Sequence, residues 1–245
     1  MAHPSNSNPS SQIDQALREI EAVARGAASP RMGQKPARQR ITAGRLLFWL
    51  LSFVALALLP FIVLVRTSLW LNLSMGWPPW PALVMGSLTV MALLVGYMAW
   101  GGRMLFGVWL FNQVVWKGVV VAVSIFVLYS AMYISGANVK TAEVKATWLS
   151  LDPILRVATS FVVIADDELV VTDAARTPAD YAQMGLPALE NSKHYPQESG
   201  YVEAIDIRTR GRSEITNNAV RLFFWLCGFN TLRHVGTADH LHISK

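Results

Sequence analysis

Charge and cysteine are scarce in this chain of 245 residues. Only 15% of its residues are charged, against about 25% in typical soluble proteins. The deficit is local. Between Leu46 and Val139 there is no aspartate or glutamate, and Arg66, Arg103 and Lys117 are the only charged side chains. A segment so poor in polar groups is not the surface of a soluble domain. Cys227 is the single cysteine, which excludes an intramolecular disulfide and any cysteine-based zinc site. A cleavable signal peptide is not expected either, because the first 45 residues are polar.

The net charge of +5 does not point to nucleic acid. Seven basic residues fall within the first 45 positions, and five of them lie between Arg31 and Arg45 with no acid among them. That pattern is the usual cytoplasmic flank of a membrane segment. Residues 1–45 therefore read as a basic, largely disordered tail. Within it Ile13, Leu17, Ile20 and Val23 have the spacing of a short amphipathic helix over 12–25. The plain reading is a marginal helix; the other is contact with a membrane surface or a partner.

Leu46 to Val65 is an uncharged run of 20 residues bounded by Arg45 and Arg66. At 1.5 Å per residue, about 20 residues cross the hydrocarbon core of roughly 30 Å. Further spans are expected at about 82–100 and 118–135, giving a membrane domain over 46–139. Pro78, Pro79 and Pro81 suggest a helix-free loop over 66–81, and Trp70, Trp77 and Trp80 suit a membrane–water interface. The apolar stretch 104–116 either lies in the interface or extends the third span. Three spans with a cytoplasmic basic tail leave everything after about Lys140 outside. In a bacterium this is an inner-membrane protein with a periplasmic or extracytoplasmic C-terminal domain.

Residues 140–245 read as one small α+β domain with an antiparallel sheet. Helices are expected over 151–165, opened by Asp152-Pro153, near 178–184, and over 215–227, closed by Gly228. Strands are expected at 168–172, 204–208 and 239–243. Polar residues of chemical interest recur at four places: Arg176, His194, Asp206 and the group Asp239, His240, His242. Each has a plain reading alone. Asp206 can face solvent, His194 can be a loop residue, and the last histidines can edge a strand. A carboxylate inside the apolar strand Ala204–Ile207 is nevertheless costly unless it is paired or bound to metal.

The four places occur in an order that resembles the zinc D-Ala-D-Ala metallopeptidases, which share a fold with the hedgehog signalling domain. The matching stretches are Thr172 to Arg176 with Thr177 and Pro178, then Ser192-Lys193-His194, then Ala204-Ile205-Asp206, then Asp239 to His242. The resemblance covers roughly 150–245. It implies His194, Asp206 and His242 as ligands of Zn2+, with water in the fourth position. It implies Asp239 as general base, with His240 as the other candidate. It implies Arg176 as the residue holding the substrate carboxylate or oxyanion, and Ser192 as a substrate-binding or supporting residue. The implied substrate is the peptidoglycan stem peptide, cut by a D,D-carboxypeptidase or an endopeptidase. The chain departs from the family in two ways: eleven residues separate His194 from Asp206, a longer spacing than usual, and Asp239 stands where glutamate is common.

The whole is expected to be three transmembrane α-helices followed by a metallopeptidase-like α+β domain. Its expected partners are the lipid bilayer, peptidoglycan peptides and envelope proteins reached through the spans. The alternative is an inactive peptidase-like domain that binds peptidoglycan or an envelope partner.

Overall fold

The structure is a computed structural model. It describes residues 9–27, 43–110, 112–183, 185, 187, 191–236 and 239–245. Residues Met1–Leu51 and Ser52–Lys245 form two compact units. The first contains α1 (Pro9–Ala27), whose apolar residues Ile13, Leu17, Ile20 and Val23 are all exposed. The basic residues Arg31, Lys35, Arg38 and Arg40 lie outside the described residues.

Three helices are long and apolar enough to cross a membrane: α2 (Ala43–Met75), α3 (Pro79–Phe106) and α4 (Gln113–Met132). They mark a membrane-associated protein. Their bounds differ from the sequence expectation. The proline cluster does not make a loop over 66–81. Helix α2 runs on through Arg66 to Met75, the connection shrinks to Gly76–Pro78, and Pro79 sits in the first turn of α3. Proline is accommodated there because a first-turn N–H has no helical partner to lose. At the other end α3 stops at Gly107 in a left-handed conformation (φ 71°). Helix α4 starts at Asn112, whose side chain accepts from the N–H groups of Val114 and Val115. The apolar stretch 104–116 therefore divides between the end of α3, a short connection and the start of α4.

After a single turn and the short α5 (Ala142–Ala146), the chain enters α6 (Pro153–Ala165). Asp152 caps α6 by accepting from the N–H groups of Ile154 and Leu155, and Pro153 takes the first position. Most of α6 is buried, since it packs against α3 and α4 on one side and against the sheet domain on the other. Arg156 of α6 donates to the Ala131 carbonyl, and Ser160 donates to the Ser130 carbonyl at 3.0 Å. The ring of Phe161 lies 4.0 Å from that of Phe61 in α2.

Strand β1 (Val171–Asp173) follows, later than the expected 168–172. Then come α7 (Pro178–Gln183), β2 (Ala204–Arg208), α8 (Glu214–Cys227), β3 (Asn230–His234) and β4 (His240–Ser244). Met184, the expected last residue of α7, lies outside the described residues. Strand β3 was not expected from the sequence. The four strands form one antiparallel sheet in the order β1-β2-β4-β3. Side chains alternate across a strand, so β2 and β4 have two different faces. Ile205 pairs with Ile243 and Ile207 with Leu241, and these four join the buried cluster that includes Val157, Val220 and Phe224. Asp206 pairs with His242 and Arg208 with His240 on the opposite face.

Candidate metal centre

The site sits on the face of β2 and β4 opposite the one that packs on α6 and α8. Asp206 Oδ1 lies 2.8 Å from His242 Nδ1, directly across the ladder. His194 arrives from the loop before β2. Its Nε2 lies 3.3 Å from His242 Nδ1 and 3.5 Å from Asp206 Oδ1. Three ligand-type atoms thus close a triangle, and these residues form a group able to hold a metal ion. A tetrahedral ion with bonds of about 2.0–2.2 Å places its ligand atoms about 3.3–3.6 Å apart. The observed separations come close to that without rearrangement of the strands.

His194 is held from several directions. Its Nδ1 donates to the Ala174 carbonyl at 2.5 Å, which turns Nε2 into the site. Its carbonyl accepts from the Arg176 N–H at 3.0 Å, and its own N–H reaches the Ser192 hydroxyl at 3.3 Å. The Ser192 hydroxyl in turn pairs with Tyr181 at 2.8 Å. Ser192 is buried within this framework, and its hydroxyl braces the His194 loop. A carbonyl fixing the tautomer of a candidate ligand is the usual supporting contact for a metal-bound imidazole.

Arg176 lies beside the cluster, but its guanidinium is engaged. Nε donates to Asp173 at 2.6 Å and Nη2 to Asp206 Oδ2 at 2.5 Å. A register shift in β1 between Val171 and Asp173 brings Asp173 opposite Asp206, which places both carboxylates within reach of Arg176. Burial disfavours the charged arginine, yet Asp173 and Asp206 outweigh it and hold Arg176 firmly protonated. Burial also works against ionised Asp206. The hydrogen bonds from His194 and His242, together with the electrostatic influence of His194 and His240, overcome it and hold the carboxyl well below the usual carboxylate range. Asp206 is therefore ionised and oriented, as a ligand must be.

Asp239 and His240 stand outside the three-atom cluster. Asp239 Oδ1 accepts from the Thr209 hydroxyl at 2.5 Å and from Arg233 Nε at 3.2 Å, and Oδ2 accepts from Arg233 Nη2 at 3.0 Å. Arg233 and Thr209 thereby hold its carboxyl below the ordinary value. Both carboxyl oxygens of Asp239 are thus engaged, and these bonds link β3, the start of β4 and the turn after β2. His240 Nε2 lies 3.7 Å from Asp206 Oδ2, and its ring stacks on His234 at 4.7 Å.

His234 is the residue that the sequence reading passed over. It sits opposite His240 in the β3–β4 ladder, and its ring is 6.5 Å from that of His242. The available signal was the short run after Gly228, Asn230 to His234, which ends in a histidine facing a histidine pair. Arg233 was missed for the same reason. A search for matching family models, curated proteins and solved structures found none for this chain.

Proposed function

We propose that the chain is a membrane-associated zinc peptidase that hydrolyses peptidoglycan stem peptides. The observation that carries this reading is the convergence of His194, Asp206 and His242. Two imidazoles and one carboxylate form the donor set of a catalytic zinc site, in which water takes the fourth position. The substrate class rests on the resemblance of the four motif positions to the D-Ala-D-Ala metallopeptidases. His194, Asp206 and His242 would hold a divalent ion, which would supply Lewis-acid polarisation of the scissile carbonyl and lower the pKa of a bound water.

The chain's own residues divide the remaining work. Arg176 and Asp173 orient Asp206. The Ala174 carbonyl and Ser192 orient His194. His240 moves the proton from the attacking water to the leaving amine, because Asp239 is committed to Arg233 and Thr209. An imidazole suits that task at neutral pH. The basic N-terminal flank stays in the cytoplasm, and the sheet domain faces the wall, where it meets its substrate and envelope partners.

The engagement of Asp239 also favours a second reading, an inactive relative that binds the same peptides. One experiment tests both. The full chain, purified in detergent, is incubated with muropeptides before and after chelation. The expected result is loss of D-alanine or a cut cross-bridge, abolished by chelator and restored by zinc. A metal-loaded chain that turns over no muropeptide would leave the binding module. A chain that binds no metal would remove both.

A further inference from the structure

Helix α8 has two apolar faces, and the sheet domain uses only one of them. Asn217, Val220, Phe224 and Cys227 are buried in the core. On the opposite side Ile215, Ala219, Leu222 and Leu226 recur at the i, i+4, i+7, i+11 spacing of a helical stripe. All four are exposed, with Ile215 at 84% and Leu222 at 53%. Glu214, Asn218 and Arg221 form a polar row between these faces, and it ends in Trp225, which is 62% exposed. A soluble domain gains nothing by leaving such a stripe in water.

The position of α8 against the long helices decides what covers it. Its C-terminal Gly228 packs on α2 at Arg66. A side-chain carbon there would lie 2.5 Å from Arg66 Nη1 and 3.3 Å from Leu69, and φ is 102°, so only glycine fits. Arg66 is the residue that closes the uncharged run 46–65. One turn earlier in α8, Phe223 lies 4.9 Å from Phe161, which lies 4.0 Å from Phe61. Phe61 stands five residues inside Arg66, about 7.5 Å along the helix. The C-terminal part of the exposed stripe, Leu222 and Leu226, therefore lies near the level where the apolar part of α2 ends. Trp70 and Leu73, exposed just beyond Arg66, continue the same belt.

We propose that the Ile215–Ala219–Leu222–Leu226 face of α8 is immersed in the bilayer that α2, α3 and α4 cross, so that the sheet domain is seated in the membrane surface instead of being tethered above it. The occupant of this face is lipid. The polar row of α8 then meets the headgroups, Trp225 sits at the interface, and Arg66 and Arg221 reach phosphate. The inference is independent of the metal chemistry.

The test uses the full chain in nanodiscs of phosphatidylcholine and phosphatidylglycerol. Nitroxide labels are placed by Leu222→Cys, Leu226→Cys and Asn218→Cys in a Cys227→Ala background, and collision with oxygen and with a water-soluble nickel chelate is measured. The expected result is a higher oxygen-to-nickel ratio at 222 and 226 than at 218. A nickel-dominated ratio at 222 and 226 would overturn the proposal. Protection from both reagents would also overturn it, in favour of a protein partner. A second measurement leaves Cys227 in place. Quenching of tryptophan fluorescence by brominated-chain lipids is compared between the native chain and Trp225→Phe. The emission lost in the variant is expected to be the lipid-quenched part, and an unquenched contribution from Trp225 would contradict the seating.

Discussion

Asp206 and His242 face one another across the β2–β4 ladder with a carboxylate oxygen 2.8 Å from an imidazole nitrogen. Their strands are hydrogen-bonded in continuous register from Ala204↔Ser244 to Arg208↔His240. Two of the three proposed ligands are thus fixed by backbone pairing, and only His194 depends on a loop. The site is consequently sensitive to whatever orients His194 and Asp206 from behind.

Arg176 is the first such support. Replacing it by methionine removes the bond to Asp206 Oδ2 but keeps much of the side-chain bulk. Metal affinity is expected to fall roughly 10–100-fold, the usual loss for a residue that orients a ligand. Asp206→Asn is expected to lose more. Competition titration with a chromogenic chelator measures both, and an unchanged affinity in Arg176→Met would contradict the supporting role.

The two candidate bases make opposite predictions. His240→Ala is expected to lower kcat on muropeptides by about 100- to 10,000-fold, the typical worth of a positioned acid–base group, while metal stays bound. Asp239→Asn is expected to leave kcat within a few-fold and to lower stability. Steady-state kinetics with metal analysis on both variants separate them. The reverse pattern would return the base to Asp239.

Much of this was legible in the sequence. The strand Ala204–Arg208, the cap Asp152-Pro153 and the stop at Gly228 announced themselves through local chemistry. Asp206 stood out because a carboxylate among buried apolar residues needs a reason. Local chemistry could not show what occupies a side chain. The engagement of Asp239 by Arg233 depends on β3, a five-residue strand with alternating exposed and half-buried positions and no strong apolar pattern. The pairing of Arg176 with Asp206 depends on a register shift that no spacing reveals. The proline cluster misled about the loop over 66–81 because proline both breaks a helix and opens one.

Lys245 carries a second pairing that only tertiary structure shows. Its ammonium lies 2.7 Å from Asp152 Oδ2, and both side chains are fully buried. The bond ties the end of β4 to the cap of α6. Removing one partner of a buried pair leaves the other uncompensated and costs about 3–5 kcal/mol. Lys245→Ala is expected to lose stability on that scale in denaturant unfolding. A loss under about 1 kcal/mol, the worth of a surface pair, would show that the pair is not desolvated in solution.

The Arg233 clamp predicts a pH dependence. Arg233 lies between Asp239 and Glu214, and it lowers both carboxyls from their ordinary values. A carboxyl with a depressed folded pKa stabilises the fold above its unfolded pKa, and that contribution is lost as pH falls through the folded value. The stabilisation is therefore full near neutrality and disappears in acid. Tm is measured against pH for the native chain and for Arg233→Met. The gap between them is expected to close as pH drops below the carboxylate range, and a gap that stays constant would contradict the clamp.

If His194, Asp206 and His242 together hold a metal ion, the purified full chain carries it, and its metal content can be measured. After dialysis against buffer with trace zinc, one equivalent is expected per native chain. That equivalent is expected to be lost in His194→Ala and in His242→Ala, with the circular dichroism of the chain unchanged. A native chain without bound metal, or variants that keep the full equivalent, would contradict it.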